Sequence, residues 1–176
     1  MRVVAGDAGG RRLVSPEGTQ TRPTSDRVRE SIFNMLFSLG AIEGATVLDL
    51  YAGSGALGIE ALSRGAEHCT FVERDREAID CIEENLETLG YTGRSTVVAT
   101  DVSHWLSAGR GPFGLVLIDP PYAEENWEQL LDQVDGEILV AESGSPIAEH
   151  HRWNVARDKA YGATFVTVLT QQVPAQ

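Results

Sequence analysis

Between residues 46 and 141, short apolar runs alternate with longer stretches whose apolar residues recur every three or four positions. The runs 46–50, 69–72, 96–99, 115–118 and 137–141 predict strands, and 56–63, 76–89, 102–106 and 126–134 predict helices. The strands read as continuous apolar segments rather than alternating ones, which fits a parallel sheet covered on both faces. The helix over 76–89 is the best defined, with Asp75 as N-cap, Ile79, Ile82, Leu86 and Leu89 facing inward, and Gly90 beyond its end.

The ends of the chain follow other patterns. Val3-Val4 and Leu13-Val14 around the Gly6/Gly9/Gly10 region predict a short hairpin. A loop with Pro23 follows, then a helix that starts near Thr24 or Ser25, stops at Gly40 and buries Val28, Ile32, Met35, Leu36 and Leu39. Toward the C-terminus, 153–155 and 164–170 are alternating or β-branched and flank the turn Tyr161-Gly162, so a closing antiparallel hairpin is expected. The fold class is therefore α/β, a mostly parallel sheet with helices on both faces. Residues 1–40 form a small hairpin-and-helix appendage, and 41–176 form the main domain.

A chain of 176 residues with 42% hydrophobic composition supports one core. No stretch reaches the roughly 20 apolar residues of a membrane span and no signal peptide is evident, so a cytoplasmic protein, without a membrane partner, is expected. Cys69 and Cys81 fit neither a disulfide framework nor a zinc pattern and are read as buried small apolar residues. The net charge of −12 argues against nucleic acid at first sight. Residues 1–29, however, hold six arginines and three acids, a net of +3 that leaves −15 on the remainder. A basic arm on an acidic body is compatible with nucleic-acid contact through the arm. An ordinary solvated surface is the alternative.

Two turns carry the candidate chemistry. Gly53, Gly55 and Gly58 satisfy G-x-G-x-x-G between a strand and a helix, with Glu73 twenty residues on, at the end of the next strand. The same spacing serves dinucleotides and S-adenosylmethionine. Asp49 tips the balance, because a carboxylate beside the turn repels a pyrophosphate and attracts the ammonium and sulfonium of S-adenosylmethionine. Glu73 can accept from ribose hydroxyls. Asp101, after the third strand, either accepts from the adenine amine, with Val102 packed on the ring, or caps the helix at 102–106.

The second turn is Asp119-Pro120-Pro121-Tyr122, which ends the fourth strand. In an open α/β sheet, ligands bind beyond the carboxyl ends of the strands where strand order reverses, so Asp49 and Asp119 are expected to face one crevice. The exocyclic amine of a base is a poor nucleophile because its lone pair is delocalised into the ring. The Asp119 carboxylate and the Pro120 carbonyl can take its two N–H groups and turn the lone pair outward, while Tyr122 stacks on the base. A base held in a duplex must first be flipped out. His150-His151 reads as a surface pair, His68 and His104 as lone histidines, and no metal is expected.

These pieces, with TRPTSDRVRESIFNML at 21–36, VLDLYAGSGALGIEALSRGA at 47–66, FVERD at 71–75 and LVLIDPPY at 115–122, resemble the RsmD-type 16S ribosomal RNA guanine-N2 methyltransferases over nearly the whole chain. The resemblance implies a Rossmann-like class I methyltransferase fold with a seven-stranded sheet, S-adenosylmethionine as methyl donor, and transfer to N2 of one guanine in the 30S subunit. The implied cofactor residues are Asp49, Tyr51, Gly53, Gly55, Glu73, Arg74, Asp101 and Val102. Asp119, Pro120 and Tyr122 would hold the target amine, and Arg11, Arg12 and Arg22 would touch RNA, with Arg22 and Thr24 in a segment over the crevice. A DNA N6-adenine or N4-cytosine methyltransferase is the enzymatic alternative, and a nucleotide-binding module without activity is the third. Where relatives place basic residues in the hairpin turn, this chain has Asp7-Ala8-Gly9. A monomer is expected.

Overall fold

The computed structural model describes residues 1–16, 25–121 and 126–172. Five strands, β1 (Thr46–Leu50), β2 (His68–Glu73), β3 (Ser95–Ala99), β4 (Phe113–Ile118) and β5 (Gly136–Ser143), run parallel. The C-terminal hairpin of β6 (Trp153–Tyr161) and β7 (Thr164–Gln171) completes one seven-stranded sheet of order β3-β2-β1-β4-β5-β7-β6. β7 lies antiparallel between β5 and β6. The expected class and its antiparallel ending hold.

The helices are α1 (Asp26–Ser38), α2 (Ala56–Ser63), α3 (Arg76–Leu89), α4 (Val102–Ser107) and α5 (Trp127–Gln133). Side chains alternate across the sheet and divide the core in two. Val47, Cys69, Phe71, Leu115, Leu117 and Val140 pack with α1, α2 and α3. Leu48, Leu50, Val72, Val116, Ile118 and Leu139 pack with α4, α5 and Trp153. Among the described residues no helix is long and apolar enough to cross a membrane.

The caps of α3 are as expected. Asp75 accepts from the Ala78 N–H at 2.9 Å, and Gly90 ends the helix in the left-handed region with φ 75°. Ser25 caps α1, whose buried face is Arg29, Ile32, Phe33 and Leu36, with Val28, Met35 and Leu39 only partly covered. The apolar stripe is thus turned from the predicted one toward Phe33 and toward a buried arginine. Cys69 is buried as expected, but Cys81 is only half-buried, because it precedes the inward-facing Ile82 on α3 and stands among Glu77, Asp80 and Glu84. Burial and these acids push its thiol up.

The N-terminal hairpin pairs Arg2 with Arg12 as a single bridge rather than two full strands. It is nailed to α2 and α3 by side chains that serve its main chain. The buried Glu60 carboxylate accepts from Val4 and Ala5 N–H at 2.7 and 3.0 Å, and Ser63 Oγ accepts from Ala8 N–H at 3.0 Å. Asn85 accepts from Val14 N–H at 2.8 Å and donates to its carbonyl at 3.0 Å. At Gly6, φ +86°, a Cβ would lie 1.9 Å from the Ser63 carbonyl oxygen, so only glycine permits this approach. Asp7 accepts from the Tyr91 hydroxyl, whose pKa is pushed up to about 12 by burial and by that bond. The acid in the hairpin turn therefore has a structural partner.

Glu60 also meets Arg64 at 2.7 Å and the fully buried Arg29 at 3.7 Å, while Arg29 donates to the Arg2 carbonyl and to Asp26. Burial holds the Arg29 guanidinium below its ordinary pKa, against the pull of Glu60 and Asp26. Stranding one member of such a buried pair costs about 3–5 kcal/mol, so this knot fixes hairpin, α1 and α2 as one body.

Candidate functional site

The glycine turn leaves β1 through three left-handed residues, Tyr51, Gly53 and Gly55, with φ 58°, 56° and 78°. A non-glycine residue at positive φ is uncommon and marks a conformation imposed by its surroundings. Gly55 N–H donates to the Ala52 carbonyl at 2.7 Å and opens α2. Gly58 has ordinary dihedrals, but a Cβ there would lie 2.4 Å from Phe71 Cε1 and 2.6 Å from Cys69 Sγ. The third glycine of the motif thus sets how closely α2 approaches β2.

Asp49 sits beneath this turn, 1% exposed, and its Oδ2 accepts from Gly58 N–H at 2.8 Å. Burial raises its carboxyl well above the usual range, the Gly58 bond opposes this, and the charges of Asp119 and Glu73 add to the rise. Glu73, at the end of β2, accepts from Gly53 N–H at 2.8 Å, Arg74 N–H at 2.8 Å and Asp75 N–H at 2.9 Å. Three of its roughly four acceptor positions are thereby occupied by main chain.

Asp101 is the N-cap of α4, with Oδ1 accepting from Ser103 N–H at 2.8 Å. Its Oδ2 meets Arg74 Nη1 at 3.1 Å. Bonds from the Ser103 hydroxyl and main chain, aided by Arg74, hold its carboxyl below the usual range despite some desolvation. Capping uses one oxygen and leaves the residue a charged acceptor. Beside it, a cleft of about 340 Å³ lies between α4 and α5, lined by Tyr51, Asp101, Ser103 and Leu106 on one side and Asn126, Gln129, Leu130 and Gln133 on the other. Val102 is buried in the core, and Leu106 supplies an apolar wall. The α5 residues of this wall were not singled out from the sequence, where they read as an ordinary amphipathic helix.

β1 and β4 are neighbours, with Asp49 opposite Leu117 and Leu50 opposite Ile118. Strand order reverses there, as expected, because β2 lies on the other side of β1 and β5 on the other side of β4. Asp119 follows Ile118, is half-buried, and is near enough to Asp49 to raise its carboxyl. Pro120 is buried and Pro121 exposed. Tyr122, Arg22 and Thr24 lie outside the described residues.

Of the arm residues, Arg11 donates to the Thr88 carbonyl at 3.1 Å. Arg12 lines a surface depression of about 550 Å³ with Met1, Arg2, Gly10, Leu13 and Asp26. His68 meets Thr96 Oγ1 at 3.0 Å. The pair His150-His151 is not simply a surface feature, since His150 is 9% exposed and Asp132 of α5 lies against both rings.

The family model described as conserved hypothetical protein 95 matches residues 1–170. A Bacillus subtilis protein provisionally named rRNA methyltransferase YlbH is 42% identical, over 98% of this chain and 100% of its own length. The ribosomal RNA small subunit methyltransferase D of Escherichia coli is 36% identical, over 92% of this chain and 85% of that protein. A solved Escherichia coli structure, provisionally described as the methyltransferase yhhF, matches with a TM-score of 0.86 at 32% identity and covers 98% of both chains.

Proposed function

This chain belongs to the conserved hypothetical protein 95 family, which includes the small-subunit ribosomal RNA methyltransferases D, and we propose that it methylates the exocyclic N2 amine of a guanine in 16S ribosomal RNA, in an assembled or assembling 30S particle. The observation that carries the reading is that Asp49, near the end of β1, and Asp119, just past the end of the adjacent β4, come together where strand order reverses, so that the Asp119 charge acts on the Asp49 carboxyl.

S-adenosylmethionine supplies an electrophilic methyl on a sulfonium. The residues present fit it. A buried carboxyl under a glycine turn, held above its usual pKa by burial and by the charges of Asp119 and Glu73, is stabilised as a carboxylate by an ammonium or sulfonium. Glu73 has an acceptor position left for a ribose hydroxyl, and holding both hydroxyls requires it to release a main-chain N–H. Asp101 and Leu106 line a cleft of suitable polarity for adenine, an amine acceptor beside an apolar wall.

Asp119 and the Pro120 carbonyl accept the two N–H groups of the guanine amine and aim its lone pair. Alignment of this kind is worth up to roughly 7–11 kcal/mol in well-oriented systems. The Asp119 carboxylate also offers a place for the proton that the nitrogen sheds. Tyr122 stacks on the base. Residues 1–40 contact the RNA through Arg11, Arg12 and Arg22; the described part of this appendage, the hairpin and α1, packs with α2 and α3 on one face of the sheet.

The test uses small subunits from a strain lacking its own small-subunit methyltransferase D. Incubation with the purified protein and methyl-tritiated S-adenosylmethionine, followed by nucleoside mass spectrometry, should yield new N2-methylguanosine in 16S RNA. Incorporation into duplex DNA and none into 30S particles would transfer the assignment to DNA amino-methylation.

A further inference from the structure

We propose that Asp132, His150 and His151 form a binding site for a late first-row divalent cation, zinc foremost, at the sheet edge opposite the methyl-transfer crevice. His150 Nε2 and His151 Nε2 lie 3.3 and 3.4 Å from the same atom, Asp132 Oδ1, and the three candidate ligand atoms fall within 4.8 Å of one another. Ligands 2.0–2.2 Å from a tetrahedral zinc stand about 3.4 Å apart, so both histidine–aspartate distances match what the metal requires. Among the described residues no other group of three such side chains comes together.

A second observation points the same way. His150 is nine-tenths buried, yet among the described residues its Nε2 has no hydrogen bond of good geometry, its nearest acceptor being Asp132 Oδ1 at 3.3 Å. A buried nitrogen of this kind costs free energy unless something satisfies it, and a cation between it and the carboxylate does so. Two imidazoles and a carboxylate suit zinc, nickel or copper better than magnesium or calcium, which prefer oxygen alone.

The backbone of the site is fixed independently of any ion. Trp153 Nε1 donates to the Leu131 carbonyl at 3.0 Å, Arg152 Nη1 donates to the Asp132 carbonyl, and Gln172 Nε2 donates to the His150 carbonyl at 3.2 Å. These bonds hold the end of α5 against the segment entering β6, so the three ligands arrive nearly preorganised. One local bond opposes loading. Arg152 N–H donates to His150 Nδ1 at 3.3 Å, whereas a metal on Nε2 moves the ring proton to Nδ1, so this long bond must open. With three protein ligands, the fourth position belongs to water. The ion would fasten α5, whose residues Asn126, Gln129 and Leu130 form one wall of the adenine-side cleft.

The experiment is titration of the chelator-treated full-length chain with cobalt(II), read by its visible ligand-field bands, then competition with zinc. One saturable site is expected. Asp132→Asn and His151→Ala, both at solvent-accessible side chains, should each weaken binding by at least tenfold, since even outer partners of metal ligands cost about 10–100-fold. Circular dichroism of both variants should match the unsubstituted protein. Absence of a saturable site, or variants that bind cobalt as tightly as the unsubstituted protein, overturns the proposal.

Discussion

At the β1 lip of the crevice, four main-chain N–H groups, those of Gly58, Gly53, Arg74 and Asp75, donate to the two carboxylates Asp49 and Glu73. At the β4 lip, two consecutive residues, Pro120 and Pro121, have no N–H at all. The first lip takes its shape from hydrogen-bond directions and from glycines that let backbone come close. The second takes its shape from ring-locked φ angles and presents acceptors. On the proposed reading, holding a cofactor and aiming an amine fall to two pieces of chain with different sources of rigidity, and each should be removable without the other.

The sharpest separation should come from Asp119→Ala. Turnover on 30S particles is expected to fall about a thousandfold or more, roughly 4 kcal/mol, while calorimetry finds cofactor affinity unchanged. Unaltered turnover would take Asp119 out of the mechanism. On the other lip, Gly58→Ala should cost about 1–3 kcal/mol of stability in denaturant unfolding, because Phe71 and Cys69, both buried, cannot make room for the methyl group. A midpoint equal to that of the unsubstituted protein would show that α2 can slide, and the contrast between the lips would weaken.

Asp49→Asn is expected to act more gently and in two directions. Cofactor affinity should weaken about tenfold, near 1.4 kcal/mol, as the carboxylate facing the cation is lost. Stability should not fall, since Asn can still accept from Gly58 N–H. The pH dependence follows from the raised carboxyl of Asp49. The folded protein keeps a proton that the unfolded chain releases, so this contribution to stability is complete below the ordinary carboxylate pKa and disappears as pH rises through the raised one. Thermal unfolding of the variant relative to the unsubstituted protein should therefore improve with rising pH, and parallel profiles would place the proton elsewhere.

Regular elements of this chain were readable wherever local pattern decided them. The bounds of β1, α2 and α3 agree with the apolar runs, and Ser25, Asp75 and Asp101 cap as their side chains suggest. The adjacency of β1 and β4, and with it the nearness of Asp49 and Asp119, followed from two motifs and the sheet rule for ligand sites. What local pattern misses is polar groups buried by distant partners. Arg29 reads as solvent-facing on α1 and is fully buried, because its partners are Glu60 and the Arg2 carbonyl. Glu60 did leave a trace, as the one charged residue in the otherwise apolar helix ALGIEALS. Asp132 and the two histidines are eighteen or more positions apart in the chain, and only the packing of α5 against the segment before β6 joins them. Likewise β6 extends to Tyr161 although its sequence is polar, because an edge strand with one neighbour exposes most of its side chains.

The position of β7 between β5 and β6 bears on how the molecule is made. Residues 164–171 leave the translating ribosome after both strands they join, and β6 has no other neighbour in the sheet. Until they appear, the growing polypeptide carries β5 with an open flank and β6 with nothing to pair with. Closure of this half of the sheet therefore waits for residues 164–171, and the flanks of β5 and β6 stay open to association until then.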